Sequence, residues 1–194
     1  FSHHGLQGFD LKGKTLGVIG TGDIGKAAIR IAMGFGMEVV AFDVVHDDDA
    51  AEELGFEYLG MDELPSRADV ITLHVPGNEK TRHMIAADQF DRMKDGVVLI
   101  NTSRGSVVHN QSLVRALAEG KVAAAGLDVL PEEPVIREEA EVLRSVYRRE
   151  HDLENLLADH VLLRVRNCIV TPHLGASTEE AQVDGLEPPE PVGK

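Results

Sequence analysis

A chain of 194 residues is enough for one sizeable α/β domain and hardly for two. Its hydrophobic content of 43% suits a globular core, and its net charge of −14 argues against a nucleic-acid or anionic-membrane surface. A single cysteine, Cys168, excludes an internal disulfide framework and fits a reducing, cytoplasmic compartment; ahead of Ile169-Val170 it reads as a small buried hydrophobe. No segment has the apolar length of a membrane span, and no signal peptide is visible.

Residues 1–13 read as a lead-in, with Gly5, Gly8 and Gly13 among scattered apolar residues. His3 and His4 are adjacent with no other ligand type nearby, so they read as a surface pair and no metal site is expected. A short apolar run, Thr15 to Ile19, predicts a buried parallel strand, and a helix is predicted from about Ile24 to Phe35. Between them Gly20, Gly22 and Gly25 fit G-x-G-x-x-G, the dinucleotide-binding fingerprint. The first glycine permits a tight turn, the second lets a pyrophosphate approach the backbone, and the third lets helix and strand pack closely. The helix N-terminus then offers N–H groups and a partial positive charge to the phosphates. A second strand, Glu38 to Phe42, ends in Asp43, 18 residues past Gly25, about where a carboxylate accepts the adenosine ribose hydroxyls.

His46-Asp-Asp-Asp-Ala-Ala-Glu-Glu-Leu54 follows, with acids crowding the start of a predicted helix, where the macrodipole favours them. These acids would repel a 2′-phosphate, and no arginine or lysine follows Asp43 closely, so NAD is favoured over NADP. Val70 to Leu73 predicts the next strand and delivers His74-Val75-Pro76; Thr81 to Ile85 and Ala86 to Met93 read as short helical pieces. Val97 to Ile100 predicts a strand running into Asn101-Thr102-Ser103-Arg104-Gly105. Arg104 either grips a substrate carboxylate as a bidentate fork or makes a surface salt bridge. Asn110 is the predicted cap of a helix through Leu113 and Leu117, which Gly120 ends. Val122 to Leu127 is a small-residue strand with Asp128 at its tip. Residues 135–163 carry apolar positions at near-helical spacing, and Ile169-Val170 is a last strand before Thr171-Pro172-His173. His173 fits a core or surface histidine as well as a working one. Strands alternate with helices, which predicts an α/β, Rossmann-type doubly wound parallel sheet with helices on both faces. Asp43, His74, Arg104, Asp128 and His173 then share one sheet edge.

These runs resemble the NAD-binding domain of the D-isomer-specific 2-hydroxyacid dehydrogenases. The matching pieces are Gly20-Thr-Gly-Asp-Ile-Gly25, His74-Val-Pro76 with Thr81, Met93-Lys-Asp-Gly96, Leu99-Ile-Asn-Thr-Ser-Arg-Gly105, Gly126-Leu-Asp-Val129 with Glu133-Pro134, and Thr171-Pro-His173. They cover roughly residues 5–182 in order. Most of the chain is similar to the D-lactate dehydrogenase branch, whereas residues 171–182 are similar to the D-3-phosphoglycerate dehydrogenases. The family often has arginine or lysine where Asp23 stands, an acid that would have to turn away from the pyrophosphate or cap the helix.

The resemblance implies roles. Arg104 would bind and polarise the carboxylate and carbonyl of a 2-oxo acid. His173 would be the general acid for ketone reduction and base for the reverse, with Glu133 raising its pKa. Asp23 and Ile24, with the three glycines, would meet the pyrophosphate, Asp43 the ribose, and His74, Val75 and Pro76 the adenosine side. Thr102, Ser103 and Asp128 would line the nicotinamide end, and Gly175 and Ala176 would close over it. The resemblance also implies a homodimer through the cofactor domain.

The expected organisation is one NAD-binding domain over residues 1–184 and a disordered tail or cloning remnant over 185–194, cut from a longer protein whose substrate domain lies elsewhere. Such a piece would bind NAD(H) and turn over poorly. Two other readings stand beside it: a non-enzymatic NAD-sensing relative, and an isolated or engineered module without turnover.

Overall fold

The computed structural model describes residues 8–129 and 161–171. Seven strands form one parallel sheet: β1 (Thr15–Ile19), β2 (Glu38–Phe42), β3 (Glu57–Tyr58), β4 (Val70–Leu73), β5 (Val97–Asn101), β6 (Val122–Leu127) and β7 (Cys168–Val170). Their order is β3-β2-β1-β4-β5-β6-β7, and every neighbouring pair is parallel. The chain therefore runs outward from β1 through β3, then crosses back to β4 on the other side of β1. That reversal opens a crevice at the carboxyl ends of β1 and β4, where open α/β sheets take their ligands.

Helices α1 (Asp23–Gly34), α2 (Asp48–Leu54), α3 (Leu64–Arg67), α4 (Ala87–Arg92) and α5 (Asn110–Ala118) join the strands. Side chains alternate across a strand, and β1 shows the consequence. Leu16 and Val18 join Ile29 and Ala32 of α1 in one core. Ile19 joins Leu64, Phe90 and Leu113, from α3, α4 and α5, in the other. Gly17 lies on that second side because a Cβ there would stand 2.8 Å from Leu64 Cδ2. Leu162 is fully buried in the same core. Among the described residues no helix is long and apolar enough to cross a membrane.

Several local expectations change. The Thr81–Ile85 segment is a turn and not a helix: Asn78 Oδ1 accepts from the Lys80 and Thr81 amides, and Thr81 Oγ1 donates to Pro76 O at 2.6 Å. These local side-chain bonds compete with helical ones. Asn110 does not cap α5. It is the first helical residue and buried, and His109 holds the cap position with Nδ1 2.7 Å from Ser112 Oγ. Gly120 follows the helix in the left-handed conformation (φ 77°), as a terminating glycine should. Cys168 is only half-buried, and burial pushes its thiol pKa up. His3 and His4, most of the 135–163 segment and the 185–194 tail lie outside the described residues.

Candidate cofactor site at the carboxyl edge of the sheet

The glycine turn after β1 is built from two close approaches and one opening. Gly20 has φ 98°, and a Cβ on it would lie 2.7 Å from the carbonyl carbon and oxygen of His74. A Cβ on Gly25 would lie 2.0 Å from Gly20 O. A Cβ on Gly22 would meet nothing within 4 Å. Gly20 and Gly25 thus close the turn onto β4 and onto itself, while Gly22 keeps open space before α1. Gly22 is also the cap residue of α1, and among the described residues no side chain caps that end. Uncapped first-turn amides beside open space suit phosphate oxygens. Asp23 does not cap the helix. It is the first helical residue and is exposed, where the dipole tolerates a negative charge. Ile24 beside it is 72% exposed.

At the tip of β2 the Asp43 carboxylate is held from three sides. Thr21 N–H donates to Oδ2 at 2.7 Å, Thr21 Oγ1–H to the same oxygen at 3.1 Å, and Val45 N–H to Oδ1 at 3.2 Å. Burial pushes the Asp43 pKa up, but these donors outweigh it and hold the carboxyl below its usual range. The group is therefore anionic at neutral pH, with acceptor capacity left for hydroxyls.

Across the crevice His74 N–H donates to Ile19 O at 2.7 Å, which ties the β4 tip to β1. Its Nε2 lies 3.0 Å from Thr72 Oγ1, and burial pushes its pKa down, so the ring is neutral at neutral pH. Val75 is half-buried and Pro76 exposed. At the end of β5, Asn101 is 1% exposed and organises the next loop. Its Oδ1 accepts from Ser103 N–H at 3.0 Å and Ser103 Oγ at 2.9 Å, and its Nδ2 donates to Arg104 O at 3.1 Å. Thr102 is exposed. Arg104 is exposed, folds its Nη1 back onto Ser103 O at 2.7 Å, and forms no ion pair among the described residues. Of the two expectations for Arg104, the surface salt bridge is thus not what the described residues provide. Its stem rests on Gly77, where a Cβ would stand 2.9 Å from Arg104 Cγ. Asp128, 7% exposed at the β6 tip, donates its N–H to Asn101 O at 2.9 Å and accepts at Oδ1 from the Thr171 hydroxyl.

Residues 1–175 match the family model of the D-isomer specific 2-hydroxyacid dehydrogenase, NAD binding domain. The chain belongs to that family. It is 40% identical over 175 residues to a glyoxylate reductase of Thermococcus litoralis, covering 90% of this chain and 46% of that protein. A D-3-phosphoglycerate dehydrogenase of Methanocaldococcus jannaschii is 42% identical over 178 residues, covering 91% of this chain and 30% of that one. The crystal structure of D-lactate dehydrogenase from Aquifex aeolicus complexed with NAD and lactic acid superposes with a TM-score of 0.78 at 38% identity, over 91% of this chain and 51% of that chain. This NAD-binding domain therefore spans about half the length, or less, of the relatives it matches.

The structure gathers Gly20, Gly22, Asp23, Ile24, Gly25 and Asp43 around the β1–α1 turn, with His74 and Val75 across the crevice. Thr102, Ser103, Arg104 and Asp128 stand at the tips of β5 and β6. Glu133, His173, Gly175 and Ala176 lie outside the described residues. Sequence reasoning missed Thr21, Asn101, Tyr58 and Gly77 as site builders. Thr21 and Asn101 sit inside quoted motifs, at the two positions where a strand ends and a polar side chain must serve loop amides. Gly77 follows Pro76 in a loop, a signal of close approach.

Proposed function

We propose that this chain is the cofactor-binding half of an NAD-dependent D-2-hydroxyacid dehydrogenase. The observation that carries the reading is the pairing of an open, uncapped α1 N-terminus at Gly22 with an anionic Asp43 held at the next strand tip. The pyrophosphate suits the first and the adenosine ribose the second; a 2′-phosphate would meet the Asp43 charge, so NAD(H) is preferred to NADP(H). When bound, the nicotinamide supplies or accepts the hydride exchanged with C2 of a 2-oxo or 2-hydroxy acid. Arg104, with no acid of its own among the described residues, binds the substrate carboxylate and polarises its carbonyl. His173 moves the proton at the carbonyl oxygen, and Glu133 raises its pKa. Thr102, Ser103 and Asp128 frame the nicotinamide end, and Gly175 and Ala176 cover it. The Thr171 hydroxyl on Asp128, two residues before His173, supports this grouping.

Because the chain spans about half of its relatives, walls from the rest of a longer protein would be needed to exclude water during hydride transfer. The domain alone then acts as an NAD-binding module with poor turnover. Small 2-oxo acids are the partners of the whole protein, and the net charge of −14 argues against nucleic acid. Two further readings go with it. Exposed Ile31 (62%) on α1 and Phe35 (58%), the residue that caps its C-terminus one turn later, support a homodimer through this domain. The single Cys168 supports a cytoplasmic location. Titration of the chain with NADH, followed by nicotinamide fluorescence with NADPH as control, tests the reading. Saturable NADH binding with much weaker NADPH binding and little 2-oxo acid reduction is the expected result; no binding of either overturns it.

A further inference from the structure

Tyr58 has no part in the reaction above, yet its hydroxyl sits at the centre of the ribose-binding corner. It lies 2.9 Å from Thr21 Oγ1 and accepts from Asp47 N–H at 3.2 Å. Its ring is stacked on His46 at 4.1 Å between centroids, and Phe56 meets it edge-on at 5.1 Å. The direction of the bonds follows from the inventory of protons. The Asp43 carboxylate only accepts, so Thr21 Oγ1 spends its one proton there. Thr21 Oγ1 must then accept from Tyr58, whose own oxygen accepts from Asp47. The result is a one-way relay from Tyr58 O–H to Thr21 O–H to Asp43 Oδ2. Asp47 is itself anchored, since it pairs with Lys26 of α1 and caps α2 by accepting from Ala50 N–H at 3.0 Å.

The relay commits Oδ2 to two donors from Thr21, while the Val45 amide reaches Oδ1. Oδ1 lies outside the relay and is the oxygen left to meet ribose hydroxyls, and the carboxylate cannot turn without breaking the relay. We infer that Tyr58 is a positioning and specificity-determining residue: through Thr21 it fixes the Asp43 carboxylate, and so sets the preference of the site for a free ribose 2′-hydroxyl over a 2′-phosphate. The inference rests on the NAD reading of this corner. Lys26, a cation on the same helix, is already engaged by Asp47 and does not offset the Asp43 charge.

Tyr58→Phe keeps the ring and its stacking on His46 and removes only the hydroxyl. On the same 194-residue chain, NADH affinity should fall about three- to tenfold, the range for one lost neutral hydrogen bond. NADPH affinity should change far less, because a carboxylate free to turn repels the 2′-phosphate less, so the NADH-to-NADPH ratio falls. A merely structural role would weaken both alike. Thr21→Val cuts the same relay in the middle, so adding Tyr58→Phe to it should cost little more. An unchanged ratio in Tyr58→Phe, or full additivity with Thr21→Val, overturns the inference while leaving the NAD reading standing. A parent chain that binds no NADH overturns the reading and the inference together.

Discussion

The two ends of the cofactor crevice are built differently. At the adenosine end Thr21, Asp43, Tyr58 and Asp47 satisfy one another, and every donor in the relay is spent. At the nicotinamide end the order lies in the loop itself: Asn101 binds Ser103 and Arg104, but Arg104 is exposed and turns back on a backbone carbonyl. The first corner is complete within the described residues. Among those residues the second presents a cation with no acid beside it. On the proposed reading, the adenosine end would supply most of the cofactor's grip.

The largest effect expected comes from the turn that serves both ends. Gly25→Ala would drive a Cβ to 2.0 Å from Gly20 O, a backbone atom that cannot swing aside. The chain should lose about 3 kcal/mol of stability in a denaturant melt, with NADH binding abolished. A melt unchanged from the parent would mean that the turn is not as tight as its geometry says.

Asn101→Ala should separate the ends. It strips a buried side chain from the Ser103 amide and the Arg104 carbonyl, at a cost of about 1–3 kcal/mol. The Thr21 and Val45 amide resonances should stay where they are in the NMR spectrum. Movement of those two signals would show that the ends are coupled.

Acid should weaken the fold in two steps. His74 has its pKa lowered by burial, and His83 has its pKa lowered by burial, by Arg82 and by His109. With folded values below unfolded ones of about 6.5, the unfolded chain binds more protons in that window, so stability is full above it and falls as pH drops through it. His74→Gln should remove part of that slope and leave the His83 part. Burial raises the Asp43 carboxyl pKa, but its hydrogen-bond donors outweigh burial and lower it on balance. For Asp69, burial raises it, while the Thr15 amide and Lys94 bring it down on balance. Their contribution is present above an unfolded value of about 3.9 and is lost as pH falls below it. Thermal midpoints from pH 8 to 3 read both windows. A flat profile between pH 7 and 5 would contradict the burial of His74.

The smallest effect belongs to the residue proposed to bind the substrate carboxylate. Arg104→Ala should change the stability of this chain by less than about 0.5 kcal/mol, because its guanidinium is exposed and, among the described residues, bonded only to Ser103 O. NADH affinity should move little. In a chain that includes the rest of the protein, the same substitution should remove 2-oxo acid reduction.

Long apolar strands were legible from sequence because burial on both faces of a parallel sheet writes a continuous apolar run. Thr15–Ile19, Glu38–Phe42, Val70–Leu73 and Val122–Leu127 appear with the bounds expected of them. β3 has two residues, too few to show any period, and Tyr58 stayed hidden with it. The glycine fingerprint was legible because two of its glycines are sterically required. Thr21 and Asn101 were not, because a polar side chain that serves nearby amides looks in sequence like any loop residue. The same competition turned the expected helix at Thr81–Ile85 into an Asn78–Thr81 turn.

The central claim is that the closed relay at the adenosine end holds most of the cofactor's affinity for this domain. Isothermal titration of the chain with ADP-ribose and, separately, with nicotinamide mononucleotide tests it directly. ADP-ribose should bind with most of the affinity of NADH, and the mononucleotide should show no saturable binding. Equal binding of the two halves, or binding carried by the mononucleotide, would contradict the account.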